Sequence, residues 1–200
     1  VCSSDLGIIQ NNILNYASAN LEKFSRDFRY SKFVASIDGS DSSIVSNSTE
    51  VNIIKRISPQ LNFVTSSIKM DFNNPAEVET PSPGYVRGGK MSDEPVITSS
   101  SFTYIDSMGN VYPFCSIRDD NQGNLVIYTT INNVFTIINS AAGQIDYNTG
   151  IAYLYNFNTS SYGDYISVYM TPQNSDILIK IGRAHVWTPV TATSRMPSSA

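Results

Sequence analysis

Residues 96–171 read VITSSSFTYIDSMGNVYPFCSIRDDNQGNLVIYTTINNVFTIINSAAGQIDYNTGIAYLYNFNTSSYGDYISVYMT, and their rhythm decides the fold. Short runs rich in Val, Ile, Tyr, Phe and Thr recur at 96–105, 111–117, 124–129, 134–138, 151–157 and 165–171. β-branched and aromatic residues suit a pleated, half-buried surface. Between the runs sit Asp106-Ser107-Met108-Gly109-Asn110, Asp119-Asp120-Asn121-Gln122-Gly123 and Asn148-Thr149-Gly150. Asp, Asn and Gly accept the backbone angles of tight turns. Short strands at regular spacing predict a mainly β (α+β) chain, an antiparallel β-sandwich or barrel-like sheet.

Outward toward the N-terminus the period changes. Ile9, Ile13, Tyr16, Ala17, Leu21, Phe24 and Phe28 recur at spacings of three and four, which predicts one amphipathic helix. A shorter helical or extended piece is expected at 30–37, ended by Asp38-Gly39-Ser40-Asp41. From Thr49 the alternation is strand-like, with Val51, Ile53 and Ile57 on one side and Ile54 on the other, until Pro59. Leu61–Phe72 reads as a strand pair or one kinked strand. Residues 73–95 hold four Pro and three Gly and form a long loop.

The two ends read as foreign. GTG TGC TCT TCC GAT CT encodes VCSSDL (1–6), the end of a sequencing-library adapter. ATC GGA AGA GCA CAC GTC encodes IGRAHV (181–186), and the adapter's next codon, TGA, stands at Trp187. TPVT and SRMPSSA (194–200) continue that adapter in register. The expected organisation is therefore foreign peptide at 1–6, a helical arm at 7–47, a β domain at 48–180 with the loop 73–95, and foreign peptide at 181–200. The chain reads as a metagenomic fragment.

Setting the ends aside removes the only His (His185), the only Trp (Trp187) and Cys2. Taking Asp5, Arg183 and Arg195 away from 17 acidic and 13 basic residues leaves 16 and 11. That acidic balance, with Lys55-Arg56 as the one adjacent basic pair, argues against nucleic acid or an anionic membrane as partner. No run approaches the roughly 18 apolar residues of a membrane span. A single Cys forms no internal disulfide. Low charge (15%) and 12 Tyr suit a chain whose surfaces are buried by neighbours.

The chemistry-bearing residues do not converge in the sequence. Without His there is no Ser–His or Cys–His pair and no ordinary zinc set. Cys115, between Phe114 and Ser116, reads as an inert thiol. Residues 118–123 carry oxygen ligands at Asp119 and Asn121, but a calcium loop needs a carboxylate where Thr130 stands. A solvated hairpin turn is the expectation. Asp119, Asp120, Asp146 and Asp164 could pair as glycosidase acids, yet each stands at a turn. Gly84, Arg87, Gly88, Gly89 and Lys90 match no phosphate-binding fingerprint. The expectation is no enzyme: no catalytic residue, no cofactor site and no metal site. In 151–157 alternation puts Ile151, Tyr153, Tyr155 and Phe157 on one face and Ala152, Leu154 and Asn156 on the other. In 165–171 Ile166, Val168 and Met170 oppose Tyr165, Ser167 and Tyr169. Taken as one aromatic hairpin, Gln144–Thr171, these runs place Tyr153, Tyr155, Tyr165 and Tyr169 on an assembly face or at its edge.

One segment carries a family resemblance. AGQIDYNTGIAYLYNFNTSSYGDYISVYMTPQNSDI (142–177) follows the pattern G-x-(I/V)-D-Y-x-T-G, an apolar strand, a polar connection and a strand ending in P-x-x-x-D-I. The matching residues are Gly143, Ile145, Asp146, Tyr147, Thr149, Gly150, Pro172, Asp176 and Ile177. Together with 21–47, 57–63 and 96–104 in order, it resembles the large baseplate wedge protein of T-even-like contractile-tailed phages. The resemblance implies a structural subunit of the virion tail baseplate, assembled in the bacterial host cytoplasm. It would contact other wedge subunits and itself, without cofactor or catalytic residues. The alternative is a carbohydrate- or receptor-binding β module of a phage tail or adhesin, with Tyr85 contacting a glycan. Hydrogen exchange should find 1–6 and 181–200 unprotected; protection at Val186-Trp187 would overturn the foreign-peptide reading.

Overall fold

The computed structural model describes residues 3–22, 27–41, 44, 47–61, 66–77, 95–132, 134–177 and 190–195. They fall into two compact units, one containing the described residues up to Val51 with 174–177 and 191–195, the other Asn52–Gln173 with Val190. The loop glycines Gly84, Gly88 and Gly89, with Tyr85, Arg87 and Lys90, lie outside the described residues, as do Val186-Trp187.

The first unit holds α1 (Ser3–Asn20) and α2 (Tyr30–Asp38). On α1 the expected stripe, Ile9, Ile13, Tyr16 and Ala17, is half-buried, whereas Leu14 is exposed. The helix does not run on to Phe28. Ser18 Oγ donates to the Asn15 carbonyl and Asn20 Nδ2 to the Tyr16 carbonyl, so short polar side chains compete with the ladder at its end. Phe28 instead forms an antiparallel bridge with Ile177, with both N–H···O distances 3.0 Å. The 30–37 piece is helical. Its N-cap, Arg29, offers no side-chain acceptor, and Asp176 takes that role. Asp176 Oδ1 accepts the Tyr30 N–H at 2.7 Å and Oδ2 accepts the Arg29 guanidinium at 3.2 Å. A carboxylate there satisfies an orphan donor and faces the positive end of the helix. Phe28, Phe33, Ile37 and Ile177 are buried, with the Phe33 ring 5.2 Å from Tyr16 and 5.4 Å from Phe28. Asn12 and Ser36 exchange two hydrogen bonds between α1 and α2.

The second unit is an antiparallel, nearly closed, barrel-like sheet, as the turn rhythm predicts. Its strands are β1 (Ser48–Ile57, which begins in the first unit), β2 (Ser66–Asp71), β3 (Ile97–Ser99), β4 (Phe102–Ile105), β5 (Val111–Asp119), β6 (Asn124–Ile131), β7 (Val134–Asp146), β8 (Ile151–Phe157), β9 (Thr159–Ser161) and β10 (Ile166–Met170). The order is β1-β10-β3-β5-β6-β7-β8-β2, with β4 pairing β5 and β9. Ile53, Ile97, Ile117, Leu125, Ile127, Leu154, Ile166, Val168 and Met170 line the core. Lys55 of β1 is also buried. Burial pushes its ammonium below the usual lysine range, and Asp71 of β2 partly offsets this. A last strand, β11 (Val190–Arg195), and the first turn of α1 fall inside the segments read as foreign.

Three strand expectations change. The 96–105 run is two strands, because Ser100 leaves the ladder: its N–H donates to the Ser167 carbonyl and its Oγ accepts the Ser167 N–H. β7 extends to Asp146, well past Ile138. β8 and β10 are not a hairpin: β8 pairs β7 and β2, and β10 pairs β1 and β3.

Two bulges interrupt the strand registers. At Asn156 (φ 48°) the register between β2 and β8 slips, so Phe157 turns inward to join Leu154 rather than Tyr155. Its ring meets Phe102 edge-on at 5.1 Å. At Phe114 (φ 56°) the β4–β5 register slips likewise, and Thr129 Oγ1 donates to the Pro113 and Phe114 carbonyls freed there. Gly143 and Gly150 are required by space. A Cβ on Gly143 would lie 2.0 Å from the Tyr153 carbonyl oxygen. One on Gly150 (φ +66°) would lie 1.8 Å from that of Asn74.

Two turns repeat one design, Asp-x-x-Gly-Asn, at Asp106–Asn110 and Asp120–Asn124. In each, Oδ1 accepts the N–H groups two and four residues on, and Oδ2 accepts the Asn Nδ2. Gly109 (φ +86°) and Gly123 (φ +93°) supply the left-handed residue. The bonds from Asn110, with those from Met108 and Tyr112, hold Asp106 below the usual carboxylate range. Burial pushes Asp120 up, but the bonds from Asn124 and Gln122 outweigh it and leave it lowered too.

A folded-state pKa below the unfolded value contributes stability that is full above about pH 4 and lost as pH falls through the folded value. Asp120→Asn should therefore melt lower than the wild type at pH 7, and the gap should narrow steadily towards pH 2 in thermal scans. Gly150→Ala should cost at least about 1 kcal/mol in chemical denaturation. Gly163→Ala, where a Cβ meets nothing within 4 Å, should change stability by less than about 0.5 kcal/mol.

Candidate assembly surface

The acids weighed for catalysis do not converge. Asp119 is wholly buried: Oδ1 accepts the Ile97 N–H at 2.8 Å, and Oδ2 accepts the Tyr147 hydroxyl at 2.8 Å and the Asn121 N–H at 3.3 Å. The expected solvated turn thus has a buried anchor. The Tyr147 oxygen accepts the Gly123 N–H, and burial, followed by the Asp119 charge, pushes the phenol well above its usual range. Asp146 Oδ1 accepts the Asn148 N–H and Oδ2 the Thr149 hydroxyl at 2.8 Å, bonds that close the β7–β8 turn. Asp164 is exposed in the bend before β10. Cys115 is buried, its thiol pushed up by desolvation. No group of three His, Cys, Asp or Glu suited to a metal ion occurs among the described residues. No described helix is long and apolar enough to cross a membrane.

The four tyrosines separate into two pairs. Tyr153 and Tyr155 project outward from β8, both exposed, their rings nearly parallel with centroids 6.4 Å apart. The Tyr155 hydroxyl donates to Gln144 Oε1 at 3.4 Å. Tyr165 stands exposed at the entry to β10 with the Arg56 guanidinium 4.3 Å above its ring. Tyr169 lies half-buried on β10, opposite Ile54 of β1 and Thr98 of β3. β3, β5, β6 and β7 stand between the two pairs in the sheet order. Alternation holds in β8 only as far as Tyr155: Ala152 and Leu154 are buried, as are Ile166, Val168 and Met170 of β10, where Ser167, expected on the tyrosine face, is buried as well.

A second apolar surface was not anticipated. Phe114 is 80% exposed, and the end of the β6–β7 ribbon exposes Ile131, Val134, Phe135 and Ile137. Phe135 packs on Tyr128 at 4.8 Å, with Arg118 5.4 Å from its ring. Ile131 and Val134 face each other across the ribbon. The sequence signal was present: Thr130–Ile138 is apolar at five positions and has no charge. Strand periodicity alone does not say where a ribbon outruns its sheet.

No curated protein matches the chain. Residues 6–56 match the family model described as Baseplate structural protein gp6, C-terminal domain III. The match spans nearly all of α1, all of α2 and most of β1, about a quarter of the chain, and it contains the 21–47 stretch but not the 142–177 pattern. Over those residues the chain is similar to a phage tail baseplate structural protein, and the match supports that role.

Proposed function

We propose that this chain is a structural, non-enzymatic subunit of a phage tail baseplate wedge, acting in virion assembly through contacts with other wedge subunits and with itself. The observation that carries the reading is the match of residues 6–56 to the baseplate family. The second unit supports it. Asp106, Asp119, Asp120 and Asp146 are committed to turns, and its outward aromatic side chains gain by burial against a neighbour. Under this reading Tyr153, Tyr155, Tyr165 and Tyr169 are assembly contacts. The chain's place is the virion tail, reached from the host cytoplasm.

A glycan-binding module retains one supporting observation: Tyr153 and Tyr155 expose two near-parallel, stacked rings to solvent. The readings part experimentally. Burying one tyrosine ring is worth on the order of 2 kcal/mol. Tyr153→Ser combined with Tyr169→Ser should keep the melting temperature within a few degrees and abolish pull-down by the products of neighbouring tail genes. Unfolding of the double variant, or undiminished assembly, would overturn the tyrosine contacts. Glycan-array binding lost in the same variant would transfer them to the module reading. An uncut contig placing the gene among tail genes is the independent check on the class.

A further inference from the structure

Lys55 stands on the inward face of the barrel-like sheet. In β1 it alternates with Val51, Ile53 and Ile57, all buried, while its neighbour Arg56 is exposed. It lies opposite Val168 of β10, which is wholly buried, between the pairs Ile53–Met170 and Ile57–Ile166. Residues directly opposite share a face of the sheet. Lys55 is only 9% exposed, and no described residue forms a hydrogen bond or ion pair with its ammonium. Asp71 of β2 attracts it at longer range. A buried cation without an acceptor is costly, and a carboxylate brought against it lowers that cost.

The next inward place on β1, Ile57, walls a cavity of about 410 Å³. Among the described residues Ser58, Pro59, Gln60 and Ile68 of β2 complete the lining. Ile57 and Pro59 are buried, whereas Ser58 and Gln60 are exposed, so apolar walls meet a polar rim. The segment is held in place: the Tyr162 hydroxyl donates to the Pro59 carbonyl at 2.6 Å, and Leu61 bridges Thr159. Small-molecule sites are largely preformed, mostly apolar with a few polar groups, and frequent at barrel mouths. Neighbouring inward places on a strand are about 7 Å apart, a gap that the four-carbon stem of a lysine covers.

We infer that this cavity takes a small amphipathic carboxylate, its apolar tail against Ile57, Pro59 and Ile68 and its head paired with Lys55. The walls select an aliphatic body, and the unpaired ammonium selects an anionic head over a neutral or cationic one. The inference goes beyond the assembly reading and does not depend on it.

The test is titration of the full chain with decanoate below its micellar concentration, followed by the isoleucine methyl signals in NMR. Saturable shifts at Ile57 and Ile68 are expected. Lys55→Met keeps an apolar stem and removes the unpaired charge. It should weaken binding by roughly tenfold to a hundredfold without lowering the melting temperature. Decanol should bind the wild type as weakly as decanoate binds that variant. Ile68→Trp fills the cavity and leaves Lys55 in place; it should abolish the Ile57 shift, and it keeps the inference testable if the Lys55→Met chain does not fold. No saturable binding, shifts confined to other parts of the sheet, or decanol bound as tightly as decanoate would each overturn the inference.

Discussion

The second unit is organised around one buried carboxylate. Asp119 ends β5, and its two oxygens take the Ile97 N–H of β3, the Asn121 N–H of the β5–β6 turn and the Tyr147 hydroxyl of the β7–β8 turn. A buried anion is costly unless each lone pair is used, and here backbone and phenol donors use them. Tyr147 passes the constraint on by accepting the Gly123 N–H. Three segments distant in sequence are thereby fixed at one end of the sheet. The residues of the β7–β8 turn serve that geometry: Asp146 and Thr149 close the turn, Tyr147 reaches Asp119, and Gly143 and Gly150 leave room for the Tyr153 and Asn74 carbonyls.

Two irregularities interrupt the strands of this unit. At Asn156 and Phe114 the backbone enters the left-handed region, and the first bulge moves the Phe157 ring to the face opposite the one alternation assigns. Phe157 is thereby buried, while Phe114, outward by alternation with the buried Cys115 and Ile117, stays exposed. Such residues cost about 1–3 kcal/mol in strain, so the surroundings must over-determine them. Thr129 does this for the second bulge, with two hydrogen bonds to the freed carbonyls.

Much of the fold was legible in the sequence. Strand positions followed from Asp, Asn and Gly turns, because backbone angles at turns are a local property. The inward set Ala152, Leu154, Ile166, Val168 and Met170 followed from alternation. The end of α1, the break at Ser100 and the bulges were not legible. The first depends on which short polar side chain takes a ladder carbonyl, and the break at Ser100 and the bulge at Phe114 on partners, Ser167 and Thr129, that lie far along the chain. Strand order was hidden for the same reason: β8 and β10, nearest neighbours in the strand rhythm, take partners from opposite ends of the sheet order. The site was half legible. Outward tyrosines can be counted from parity, but their separation into two pairs, and the ribbon that outruns its sheet, are properties of the topology.

The cap on α2 has a consequence for how the chain is made. Tyr30 and Asp176 are 146 residues apart, and the Phe28–Ile177 bridge closes the same loop. A nine-residue helix is too short to persist alone. During synthesis from the N-terminus, α2 therefore emerges long before the residue that completes its first turn. The intervening sheet must be translated before the cap arrives, so the first unit closes last although most of it is made first. Contacts of such long range slow folding because loop entropy is lost before they form. Until then Phe28 lacks its bridge partner Ile177, and its ring and that of Phe33 keep only each other and Tyr16 as aromatic neighbours.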